Sequence, residues 1–123
     1  PIGNRAAEIA ERAARASLRS ARLSHDDLES RIVSEVRSSH RRVLYEAEAV
    51  AAAETSVSLA RRQLEAEQAR FREGLATNFQ VLEFQEDLTL AQFNLVQARA
   101  EFAKARAALA RSQGLPAEGE QAP

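Results

Sequence analysis

Cysteine, tryptophan and methionine are absent from these 123 residues. Without cysteine there is no disulfide framework, no thiolate nucleophile and no sulfur ligand for a metal, and an oxidising or a reducing compartment suits the chain equally. Glycine and proline are nearly as scarce, at four and three. Gly3, Gly114, Gly119, Pro1, Pro116 and Pro123 all lie in the first three or last ten positions, which leaves Gly74 as the only breaker between positions 4 and 113. So few breakers favour long helices.

A dominant sign of charge is missing too. Seventeen basic residues balance eighteen acidic ones for a net charge of -1, so no field steers nucleic acid or holds an anionic membrane. No apolar run approaches the ~20 residues of a membrane-spanning helix, and no signal-peptide pattern is present. Five phenylalanines and one tyrosine are the only aromatics, and much of the 45% apolar share is alanine, 26 residues of it. Such side chains suit the thin seam of a coiled coil better than a thick interior.

Apolar residues recur every seven positions. Val36, Val43, Val50, Val57, Leu64 and Phe71 form one stripe, and Val81, Leu88, Leu95, Phe102 and Leu109 another, accompanied by Phe84, Ala91, Ala98 and Ala105. The pattern predicts a first helix from an Asn4 N-cap to about Arg72, roughly 100 Å long at ~1.5 Å per residue, and a second over about 78–113. Gly114 and Pro116 signal the stop. Folding the chain back at the break sets Phe71 against Val81, Leu64 against Leu88, Val57 against Leu95, Val50 against Phe102 and Val43 against Leu109. Every pair is centred on position 76. Ala53 and Ala60 then fall near Ala98 and Ala91, where small side chains allow close approach. The expected fold is therefore all-α, a long antiparallel coiled-coil hairpin over 1–116 with its tip at about 73–77, followed by a flexible tail at 117–123. At the tip, Gly74 can take a left-handed conformation, and Thr77 with Gln80 has the spacing of a capping box.

Two features exceed what a lone hairpin needs. The second helix is too short to cover residues 5 to about 38, which include Ile9, Leu18, Leu28, Ile32, Val33 and Val36. It also bears a second stripe, Phe79, Phe93, Ala100 and Ala107 beside Leu82, Val96 and Ala103. A helix with two seams wants two neighbours, so these features predict self-association; the plainer reading is an alanine-rich surface with incidental phenylalanines.

"PIGNRAAEIAERAARA", "LESRIVSEVRSSHRRV" and "RFREGLATNFQVLEFQEDLTLAQFNLVQARAEFAKARAALARSQGLP" together resemble the second internal repeat of TolC-like outer membrane efflux proteins, in order, spacing and helix lengths over positions 1 to about 116. The first stretch is similar to that repeat's strand-to-helix opening, the second to its long-helix centre, and the third to its tip and return helix. The resemblance implies a periplasmic segment of an outer membrane channel, one piece of a homotrimeric tunnel of helices that continues a membrane β-barrel. It implies a periplasmic adaptor (membrane fusion) protein as direct partner and an inner-membrane pump as indirect one, for efflux or secretion. By the same resemblance, Arg70, Gly74, Leu75, Ala76 and Thr77 form the adaptor-docking tip. Glu83 matches a position where the family often narrows the pore entrance with carboxylates, and Gln80 departs from that acidic choice. On the residues alone, Leu75 is either a docking knob or tucked against its own hairpin, and Glu86 and Asp87 read as a solvated face.

No catalytic residue, metal site or cofactor is expected. His25 and His40 are too far apart to share a helix face at i, i+4, and no phosphate loop or nucleophile elbow occurs. His25 beside Asp26 and Asp27 reads as helix-surface polarity. The alternative function is an adaptor-type or cytosolic coiled-coil hairpin acting as a spacer or oligomerisation element. The residue four after Arg70 is Gly74, where adaptor hairpins tend to carry leucine, which disfavours the first form of it.

Overall fold

A computed structural model describes residues 2–115. It contains two α-helices, α1 (Ile2–Arg72, 71 residues) and α2 (Asn78–Ser112, 35 residues), and no strand among the described residues. The fold is an all-α helical hairpin. The tail at 117–123, and with it Pro116, lies outside the described residues. The chain divides into two units, Pro1–Arg37 and Ser38–Pro123, and α1 contributes to both.

In the first unit every described residue from Ile2 to Glu35 is exposed, including Ile9, Leu18, Leu28 and Ile32. With no buried face, helical order here rests on alanine's propensity and on pairs one turn apart. Arg15 meets Glu11 at 2.6 Å and Arg31 meets Asp27 at 2.9 Å. Asn4 is not the cap expected of it, because the backbone is already helical at Ile2 and Asn4 lies inside the first turn.

The second unit is the coiled coil. Along α1 the sheltered positions alternate by four and three residues, Val43, Glu46, Val50, Ala53, Val57, Ala60, Leu64 and Glu67, and α2 answers with Val81, Phe84, Leu88, Ala91, Leu95, Ala98, Phe102, Ala105 and Leu109. That alternation follows from 3.5 residues per turn in the frame of a supercoil, which keeps one stripe facing the partner helix. Val57, Ala60, Val81 and Ala105 are buried, yet no side chain among the described residues is fully so, as expected of a single seam with solvent on both flanks. Arg99 of α2 reaches Glu54 of α1 at 3.4 Å. Phe71 is 45% exposed while Val81, its expected partner, is 8% exposed. The ring lies in the last turn of α1, and the short connection beyond it offers no further layer to cover a side chain of that size.

Two of the sheltered positions hold acids. Glu46 and Glu67 are 7% and 6% exposed. Arg42 Nε donates to Glu46 Oε1 at 3.1 Å and its Nη2 lies 4.0 Å from Glu101, which pairs with Lys104 at 3.2 Å. A run of alternating charge thus crosses from one helix to the other.

Candidate functional site

The tip, residues 70–83, is built by two capping motifs set back to back. α1 closes in a Schellman turn: the Leu75 N–H donates to Arg70 O at 2.8 Å and the Gly74 N–H to Phe71 O at 3.0 Å. Gly74 has φ +77°, a left-handed conformation that side chains with a Cβ resist, although open space surrounds the place where a Cβ would stand. Three residues later the chain is extended at Thr77 (φ -90°, ψ 157°), which caps α2. Gln80 N–H donates to Thr77 Oγ1 at 3.2 Å and Thr77 N–H to Gln80 Oε1 at 2.8 Å, completing the reciprocal capping box.

The Arg70 guanidinium ties this turn to the seam. Its Nη1 lies 3.2 and 3.5 Å from the two carboxylate oxygens of Glu67, and its Nη2 donates to the Leu75 carbonyl at 3.3 Å. Arg70 is therefore engaged within the hairpin, while the Leu75 side chain is 63% exposed and Ala76 half-buried. Of the two readings of Leu75, the structure has the outward one. Thr77, Gln80 and Glu83 are exposed, but the Gln80 carbonyl oxygen is occupied by the Thr77 cap.

From the tip an apolar strip continues along the outer face of α2. Phe79, Leu82, Leu90, Phe93 and Val96 are all exposed, and a shallow groove is lined by Leu82, Gln85, Glu86, Thr89, Leu90 and Phe93. On α1, Tyr45, Ala52, Leu59 and Ala66 are likewise exposed at heptad spacing. Sequence reasoning misses this α1 stripe, because two of its four members are alanines in a helix where alanine is everywhere. Glu46 and Glu67 escape for a related reason: extending the three-residue offset used for α2 to α1 lands on Ser39, Glu46, Ala53, Ala60 and Glu67.

His25, Asp26 and Glu29 bring ligand atoms within 4.8 Å of one another, all of them exposed. Asp27 is paired with Arg31 instead, and His25 lies 3.8 Å from Asp26. Three solvated groups on one helix are ordinary surface polarity. Among the described residues no helix is long and apolar enough to cross a membrane. Compared with protein-family models, curated proteins and solved structures, the chain matches none of them.

Proposed function

We propose that the Ser38–Pro123 unit is one stave of a helical conduit of the TolC-like outer membrane type, a periplasmic tunnel segment for efflux or secretion whose tip docks an adaptor. The observation that carries this reading is that both helices bear a second heptad stripe, exposed but for the half-buried Ala107, in the same mirrored register as the seam. Tyr45 pairs by height with Ala107, Ala52 with Ala100, Leu59 with Phe93 and Ala66 with Glu86, every pair again centred on position 76. A copy can therefore lay α1 against its neighbour's α2 without axial slip. Contacts of this kind can close into a ring where the rotation between copies allows, whereas a slipped contact climbs into a filament. By heptad geometry the outer stripe of α2 lies about opposite its seam, whereas that of α1 lies about 130° around from its own, so the bend of a row of helices comes from α1.

The exposed Leu75 supports the docking half of the proposal. A large apolar side chain held at a rigid turn is a poor solvent-facing choice and a good knob for a partner's hole. The chain's lack of cysteine permits a clean test of the ring. Oxidising the Leu59→Cys/Phe93→Cys variant is expected to give a ladder of linked copies; monomer alone would overturn side-by-side assembly. In the intact gene product, Leu75→Asp is expected to lower recovery of a periplasmic adaptor without loss of helical circular dichroism. Equal recovery would remove the docking role.

A further inference from the structure

We infer that Glu67 and Arg70 form a clamp that positions the tip, so that presentation of Leu75 depends on closure of the seam. Glu67 is out of place for its chemistry: it is among the most buried residues of the chain, at 6% exposure, and its position in the heptad is one that Ala53 and Ala60 fill with methyl groups. A buried carboxylate is costly unless it is paired. Its partner is Arg70 one turn along, half exposed, with Nη1 at 3.2 and 3.5 Å from the two carboxylate oxygens.

The rest of the guanidinium completes the arrangement. Nη2 donates to the Leu75 carbonyl at 3.3 Å, five residues along and on the far side of Gly74. One planar, fork-shaped cation thus joins a seam carboxylate to the backbone of the exposed knob, a bridging geometry that arginine offers and a lysine point charge does not. The Schellman hydrogen bonds fix the path of the turn, and the clamp adds a restraint from the side-chain layer. If α2 withdraws, Glu67 becomes wet, water competes for Arg70, and Leu75 loses its outer support. If α2 is seated, the turn is held. The consequence for adaptor docking rests on the function proposed above; the clamp itself does not.

Amide hydrogen exchange of the full chain, resolved by residue, tests it. In Arg70→Ala the Leu75 and Gly74 amides are expected to exchange about three- to tenfold faster, the range for a partly solvated, charge-assisted hydrogen bond. Glu67→Gln, which keeps the size of the side chain, is expected to act in the same direction at the same two amides. The double variant should be no faster than Arg70→Ala alone, because both changes break one linkage. Unchanged exchange in Arg70→Ala, or effects that add in the double variant, would overturn the clamp. Uniform acceleration at Val57, Ala60 and Leu95 in Glu67→Gln would overturn it too, by making Glu67 a seam residue only. These amides are read without any partner. Loss of adaptor recovery in Leu75→Asp alongside an unchanged tip in Arg70→Ala would leave docking standing and remove the clamp.

Discussion

Single residues decide how this chain reverses. Gly74 is required for its conformation and not for space, since no atom beyond the glycine and its two chain neighbours lies within 4 Å of the point where a Cβ would sit. Gly74→Ala should therefore cost about 1 kcal/mol through backbone strain alone, with no steric clash to add to it. A fall of several degrees in the thermal midpoint, with helical content retained, is the expected result. Thr77→Ala removes the acceptor for the Gln80 N–H and should cost about as much again, since N-cap replacements by alanine run near 1 kcal/mol. Both motifs are legible in the sequence, because a glycine followed by T-x-x-Q leaves little choice of chemistry for closing one helix and opening the next. The engagement of Arg70 is not. Its partners lie three residues back and five ahead, and only the turn brings them around one guanidinium.

At the scale of the helix pair, the seam is a line of partly sheltered residues without a deep core. Its strength comes from many modest contacts, so the cost of one introduced charge is large relative to any single layer. Leu64→Asp or Leu88→Asp places an unpaired carboxylate in that line and should melt the hairpin, read as lost cooperative unfolding by circular dichroism. Retained cooperative melting would count against the register. Glu46 makes the opposite case. It is buried while its partner Arg42 is 63% exposed at the side chain, so the carboxylate is desolvated for a half-wet ion pair. Glu46→Leu is expected to stabilise the hairpin by about 1 kcal/mol, because it removes a desolvated carboxylate and leaves behind an Arg42 that is wet and still beside Glu101, with a higher thermal midpoint as the readout. The apolar stripes are readable because valine and leucine at every seventh position seldom arise except where one helix lies along another. The acids in the same line are not, since nothing in a lone glutamate tells a solvated flank from a seam. The start signal at Asn4 misleads for a third reason: an N-cap residue acts only where the backbone at its own position is non-helical, and here the helix has already begun at Ile2.

Taken whole, the molecule is two units with different sources of order. Between Ile2 and Glu35 all side chains face solvent, and helices without a packed face open readily. Amides there should exchange faster than those at Val57 or Ala60 by orders of magnitude in the isolated monomer, and slow down if copies associate. Light scattering that shows a monomer whose amides at residues 5–35 are nonetheless strongly protected would contradict this. One detail of the outer face of α1 turns into an instrument. Tyr45 is the sole tyrosine in a chain without tryptophan, and it stands 66% exposed at the head of that stripe. All useful ultraviolet emission therefore comes from one phenol, situated where a neighbouring copy would lie. Dilution from high to low concentration should change its intensity and anisotropy if staves meet there, giving an unlabelled optical titration of assembly.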